Sequence, residues 1–384
     1  ECSSERIKIY YPIRCVKLQM KKLVVQKKQL TQNIKKILEH ARLNGSEVIA
    51  MLKGNGYGLG ICKFARLLLQ NGVKMLAVSE FCEAKELREN GIGAEIILLS
   101  PMCDLNEAAE AVKLGIVCAV GSEESALVLN IAAAQQNMRA RAHVCLDTGF
   151  GRFGFLADDI DGIDEALGRM SDVDIEGIFS HLSNSFGEEK YSRMQFDAFN
   201  EAVMRLNERG YSFKIKHICN SCAFMRFPDM GLDAVRVGSA FLGRLPVKNT
   251  LKLDRIAYLE SCICEMKTLP KGHNIGYANT YKTKRETKIA VIPVGYKDGF
   301  GVQKSNDAFR FKDILRYIYA DVKLLFGKNT TYVTVGDKKC PLLGRVSMFN
   351  IIADITGTDA QVGDAVRLEC NPILIDSSIE REYL

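Results

Sequence analysis

From Ser46 onward one unit recurs eight times: a short apolar run that reads as a strand, followed after most of these runs by a segment with helical apolar spacing. The strand-like runs are EVIAML, KMLAVS, AEIILLS, IVCAV, ARAHVCLD, VDIEGIFSH, FKIKHICN and DAVRVGS. Between them lie stretches such as ICKFARLLLQNG, FCEAKELRENG and SEESALVLNIAAAQQN, in which apolar residues return every three or four positions. Gly72, Gly91 and Gly115 stand where helix-terminating glycines belong. Alternation of this kind implies a parallel sheet, and eight units is the number that closes one into a barrel. A doubly wound open sheet gives no reason for eight.

After about Leu245 the texture changes. AYLESCICEMKTL, TKIAVIPVGY, VKLLFG, TYVTVGDKKCPLLGRVSMFNIIADI and DAVRLE are strand-like, with turns at VGDKK and VGDA. The chain therefore divides into an N-terminal extension (1–22), a (β/α)8 TIM-type barrel (23–248) and a C-terminal mostly-β domain (249–384), with a helix-bearing insertion over 303–328.

Composition narrows the class. The chain has 384 residues, 47% apolar and 26% charged, which is soluble and globular. It shows neither a membrane-spanning apolar run nor a signal peptide. It begins at Glu1, as a fragment of something longer would, which leaves room for an upstream membrane domain. Net charge is +6, and basic residues gather between Arg14 and Lys36, where a solvated helix face explains them. Without aromatic interleaving or zinc-finger spacing, they give no nucleic-acid partner. The 13 cysteines, odd in number and irregular in spacing, indicate free thiols in a reducing, cytoplasmic compartment. Cys219 and Cys222 form one CxxC, but no second pair completes a zinc site, and no metal is expected.

Active-site residues of a barrel sit where strands end at the C-terminal face. Strand one ends at Lys53, with Tyr57 in its loop; strand five leads into LDTGFGRFGF and Arg152; strand six ends at His181; strand seven at Asn220 and Ser221; and strand eight carries Arg236, Gly238 and Ser239. Each has an ordinary structural explanation alone. Together they converge on one rim. The serine and glycine loops offer hydroxyls and backbone N–H groups late in the barrel, where phosphate sites form. A phosphate there, a desolvated lysine across the mouth and an arginine between them fit pyridoxal 5′-phosphate, with Lys53 as the Schiff-base amine. The glycines after Lys53 then let a bulky cofactor approach the backbone.

MLKGNGYGLG resembles the lysine motif of the alanine racemases, and LDTGFGRFGF, EGIFSHLSNS, the CNSCAFMRFPDMGLDAVRVGSAFLGRLP stretch, IPVGYKDG and PLLGRVSMFN resemble that family's other signatures in its order. The resemblance covers nearly the whole chain from about Leu23. It implies an isomerase that works with two bases on opposite faces of the substrate α-carbon: Lys53, and Tyr296 reaching in from the partner subunit of a homodimer. It further implies that Arg236 faces the pyridine nitrogen, and that Tyr57, Ser221, Gly238 and Ser239 hold the phosphate, with Asn220 and His181 beside them. Arg152 then takes the substrate carboxylate and a cofactor oxygen, and the backbone of Met348 takes the carboxylate from across the dimer. His181 and Arg236, read as cations, assist the tyrosine.

Three positions depart from the family's pattern. Cys145 stands where the family often has a carbamylated lysine that supports the arginine, so activity should not need bicarbonate. Met348-Phe349-Asn350 lacks the family's acidic residue near the entrance. Asn371 aligns with a tyrosine of the substrate pocket, and a short amide there leaves space and hydrogen-bonding groups for a hydroxymethyl side chain. In this respect the chain is similar to the racemase domain of the membrane-bound serine/alanine racemases of vancomycin-resistance clusters, which implies D-serine for cell-wall precursors as well as D-alanine. A housekeeping alanine racemase and a non-catalytic pyridoxal phosphate carrier are the alternatives.

Overall fold

The computed structural model describes residues 21–303, 310–325 and 330–384. Eight strands close into a ring: Glu47–Met51, Met75–Val78, Glu95–Leu98, Val117–Val120, Ala140–Asp147, Val173–Phe179, Ile215–His217 and Ala234–Val237. Each pairs in parallel with the next, and the eighth pairs in parallel with the first through Ala234–Val237 against Glu47–Ala50. The expected barrel is thus observed, strand for strand.

The strands read as continuous apolar runs because both of their faces are covered. Ile49, Met51, Ala77, Ile97, Val117 and Ala234, drawn from five strands, form one buried cluster. Gly72, Gly91 and Gly115 each adopt positive φ just beyond a helix, the left-handed step that ends it. In the fifth and sixth strands the register shifts by one residue, with Ala142 opposite Ile175 but His143 opposite Gly177. A Cβ on Gly177 would lie 2.7 Å from the His143 ring, so the glycine makes room for a buried imidazole.

The described residues form two compact units, 23–258 with 370–384, and 21–22 with those of 259–369. In the second unit Ala257–Cys262, Ala365–Leu368, Tyr332–Val335 and Lys338–Pro341 run antiparallel in that order. A further antiparallel sheet joins Glu265–Leu269, Thr287–Ile292 and Ile351–Asp354.

The structure differs from expectation in two stretches. The described part of the VKLLFG run is helical: Val322–Leu325 finish the helix Phe311–Leu325, whose apolar residues at 311, 314, 315, 318 and 322 keep helical spacing. A period sustained over fifteen residues outweighs a short β-like run. The rest of the expected insertion, 304–309 and 326–329, lies outside the described residues, as does the extension up to Met20. The basic stretch continues as the strand Lys21–Val25 and the helix Lys27–Leu43.

Residues 370–384 group with the barrel, whereas the linear division gave them to the β domain. Arg381 is buried and donates to the carbonyls of Gly58 (3.0 Å), Ile375 (3.0 Å) and Asp376 (2.8 Å). Tyr383 donates its hydroxyl to the Leu59 carbonyl at 3.0 Å, and Lys63 donates to the Arg381 carbonyl at 2.8 Å. These bonds join the tail to the turn after the first barrel strand, a link that no local sequence signal announces. Among the described residues, no helix is long and apolar enough to cross a membrane.

Candidate active site

Lys53 leaves the first strand into an unusual turn. Gly54, Asn55, Gly56, Tyr57 and Gly58 all have positive φ, between 54° and 82°. Left-handed backbone is easy for glycine and costly for other residues, so the run is tolerated only where packing over-determines it. The Asn55 side-chain oxygen accepts the Ile61 N–H at 2.8 Å, and its backbone N–H donates to the Glu83 carboxylate at 3.1 Å. A Cβ on Gly58 would sit 2.0 Å from the Pro372 carbonyl oxygen. The left-handed turn and the close passage of Pro372 beside Gly58 thus both call for glycine here.

A cavity of about 300 Å³ opens at the C-terminal rim of the barrel. It is lined by Lys53, Tyr57, Arg152, His181, Asn220, Ser221, Arg236, Gly238 and Ser239, together with Cys145 and Phe150. The nine barrel residues singled out in the sequence thus meet around one space. Asn371 is not on that lining. It precedes the short turn Pro372–Leu374, whose Pro372 and Ile373 lie against Gly58 and Gly54 of the lysine turn. Tyr296 and Met348 belong to the second unit, where they come together: the Tyr296 N–H donates to the Ser347 carbonyl (3.0 Å) and the Lys297 N–H to the Met348 carbonyl (3.1 Å). Both side chains are about half exposed, Tyr296 at 49% and Met348 at 47%.

One wall of the cavity is a hydrogen-bonded network around Arg236, which is buried. Its guanidinium donates to the carbonyls of Ser180 (2.6 Å), His217 (3.0 Å) and Ile218 (3.2 Å), and meets His217 Nδ1 at 2.7 Å and His181 Nδ1 at 3.1 Å. Burial lowers its pKa to about 10, which still leaves it charged at neutral pH. A guanidinium can only donate, so both Nδ1 atoms accept. His217 must then carry its proton on Nε2, which faces His143 Nδ1 at 3.0 Å. Desolvation holds all three imidazoles neutral: His181 falls to about 3, His143 to about 4, and His217 lies well below the ordinary value. His181 is therefore a neutral donor through Nε2, and the expectation that it acts as a cation is corrected.

The residues fit pyridoxal phosphate. Ser221 Oγ accepts the Gly238 N–H at 3.0 Å, and a Cβ at Gly238 would lie 2.3 Å from the Tyr57 hydroxyl, so bare backbone is required where the hydroxyls of Tyr57, Ser221 and Ser239 gather. Burial pushes the Tyr57 phenol up to about 12, which keeps it a proton donor. Neutral hydroxyls and an N–H edge suit a phosphate, the lysine amine suits an aldehyde carbon, and the arginine suits a ring nitrogen.

Opposite this wall, the loop after the fifth strand carries Arg152. The Asp147 carboxylate accepts the N–H groups of Gly149 (2.8 Å), Phe150 (2.8 Å) and Gly151 (2.9 Å), which fixes the loop's backbone. Cys145 lies below, its thiol held protonated by burial, with a pKa of about 12, and directed at the Phe153 carbonyl 3.7 Å away. The sequence singled out Arg152 and Cys145 but not the flanking Phe150 and Phe153. Two phenylalanines close around one arginine, in FGRF, were the available signal.

A closed parallel barrel with this lysine, arginine and hydroxyl rim, followed by a mostly-β domain, defines a barrel-type pyridoxal phosphate enzyme. The chain matches the model for the alanine racemase N-terminal domain over residues 25–246 and that for the C-terminal domain over 256–378. It is 34% identical over 332 residues to the alanine racemase of Clostridium tetani, covering 84% of this chain and 80% of that protein. It is 32% identical over 339 residues to alanine racemase 1 of Oceanobacillus iheyensis, covering 87% and 83%. The solved alanine racemase of Clostridium difficile superposes with a TM-score of 0.83, covering 95% of this chain and 96% of that chain, at 26% identity. The chain belongs to the alanine racemase family.

Proposed function

We propose that the protein interconverts L- and D-alanine as a homodimer, exchanging the α-proton between Lys53 on one face of the substrate and Tyr296, presented by the second copy, on the other. The observation that carries this reading is the single cavity on which Lys53, Tyr57, Arg152, His181, Ser221, Arg236 and Gly238 open. Bound pyridoxal phosphate supplies the electron sink that makes the α-proton removable. Lys53 takes or returns that proton at its amine, and Tyr296 does so at its phenol oxygen. Arg236, charged and donating only, disfavours a proton on the neighbouring ring nitrogen and so restrains side reactions. Arg152 receives the substrate carboxylate, with the Met348 backbone of the second copy. The exposure of Tyr296 and their shared local cluster suit that arrangement. A carrier built of the barrel alone would have no use for the second domain that this chain matches.

A second reading is that serine is also a substrate, and that D-serine then serves cell-wall precursors in glycopeptide resistance. Its support is Asn371, which precedes the turn lying against Gly54 and Gly58. The similarity to alanine racemases favours alanine. Parallel exchange of the α-proton of L-alanine and L-serine in D₂O, with the cofactor added, tests both. Exchange of alanine alone discards the serine reading; serine exchanging as fast as alanine, and slowing selectively in Asn371→Tyr, would favour it. Exchange of neither overturns the racemase.

A further inference from the structure

Arg152 lines the same cavity as Arg236 but is exposed. Among the described residues, no carboxylate pairs with its guanidinium, and Asp147, the nearest acid in the sequence, is occupied by backbone N–H groups. What does meet the guanidinium is aromatic. Its central carbon lies 4.4 Å from the centroid of the Phe150 ring and 5.5 Å from that of Phe153. Phe150 in turn meets the His181 ring edge-to-face, with centroids 5.3 Å apart, so one phenyl ring separates the arginine from the neutral imidazole of the network wall.

Both rings stand 37% and 47% exposed, an arrangement that packing alone does not require. Their placement is fixed from beneath. Asp147 holds the loop backbone, Cys145 lies under the Phe153 carbonyl, and a Cβ on Gly154 would clash with the Asp147 nitrogen at 2.6 Å, so the loop folds back tightly on its strand. A cation over an aromatic face is attracted by the ring's negative quadrupole, and the attraction has no counter-charge that would compete for an incoming anion.

We propose that Phe150 and Phe153 are the positioning residues of Arg152, holding its guanidinium over the cavity by their ring faces where an ionic partner would otherwise be needed. A carboxylate partner would neutralise the arginine and compete with the substrate. Two aromatic faces orient it and leave its full charge for the substrate carboxylate. Cys145, small and protonated, fits beneath this shelf and takes no part in the charge balance. The proposal rests on the assignment of Arg152 to the substrate carboxylate.

The test is a double-mutant cycle on the pyridoxal phosphate holoenzyme, read by calorimetric titration with propionate, a carboxylate that cannot be racemised. Phe150→Leu or Phe153→Leu should weaken propionate binding by about two- to fivefold, and the pair by about tenfold. Phe150→Tyr, which keeps the ring face, should bind as the wild type does. In an Arg152→Gln background the same leucine substitutions should change nothing further. Equal losses in both backgrounds, or no loss in either, overturn the proposal even if alanine exchange is intact. If propionate binding depends on the rings through Arg152 but no amino acid exchanges its α-proton, the shelf stands and the racemase reading falls.

Discussion

Arg236 and Arg152 open on the same cavity, yet the regions that carry them are built on different physics. The wall of strands six to eight buries Arg236 and satisfies it with three carbonyls and two imidazole nitrogens. The loop after strand five leaves Arg152 exposed and rests it on two ring faces. The first arrangement ties an arginine to the stability of the barrel, because several buried acceptors would lose a donor without it. The second rests an arginine on exposed rings, away from the barrel's buried acceptors. One cavity thus joins a buried, densely hydrogen-bonded arginine to an exposed one resting on aromatic rings.

Acid should break that contrast with the largest effect. The three wall imidazoles have folded-state pKa values depressed below 6.5, so at neutral pH they are uncharged in both states and cost nothing. As pH falls below 6.5 the unfolded chain takes up protons that the folded wall refuses, and stability declines towards the depressed values. The expected loss is up to about 1.4 kcal/mol per histidine for each pH unit. Urea unfolding between pH 7.5 and pH 4.5 measures it, and a pH-independent midpoint would remove the argument for a neutral wall.

Arg236→Met should destabilise by about 3 kcal/mol, since it orphans several buried acceptors at once, and should lower alanine exchange at least a hundredfold. Unfolding and exchange measured on one preparation would show whether the two losses travel together. The smallest stability effect belongs to the loop: Arg152→Lys should shift unfolding by no more than about 0.5 kcal/mol while raising KM for alanine about tenfold, because an ammonium cannot reproduce a planar fork on a carboxylate. A destabilisation comparable to that of Arg236→Met would show that the loop is as structural as the wall.

Much of this was legible in the order of residues. The barrel followed from eight strand–helix units, and its rim from the residues at which the strands ended, because a parallel barrel has one place to put chemistry. The alternation in the β domain was equally plain, apart from Val322–Leu325, where a β-like run was overruled by the longer helical period around it. What sequence could not show were contacts between distant segments. The glycines after Lys53 looked like room for a ligand, and only the Pro372 carbonyl beside Gly58 shows the steric demand that the last residues impose. The neutrality of His181 was invisible for a related reason: its charge is decided by burial and by a guanidinium 55 residues away in the chain. The aromatic shelf was overlooked because phenylalanines near an arginine read as loop residues until their faces are located.

The bond from Arg381 to the Gly58 carbonyl spans 323 residues of chain. At about 5–20 residues added per second, the lysine turn leaves the ribosome roughly 15 to 60 s before the segment that closes over it. A nascent barrel thus has its reactive amine in place but its strained turn unsupported, so the amine should reach its working geometry late in synthesis. Any shortening of that segment would be felt 323 residues earlier in the chain, in the turn that carries Lys53, before it was felt in the barrel's own fold.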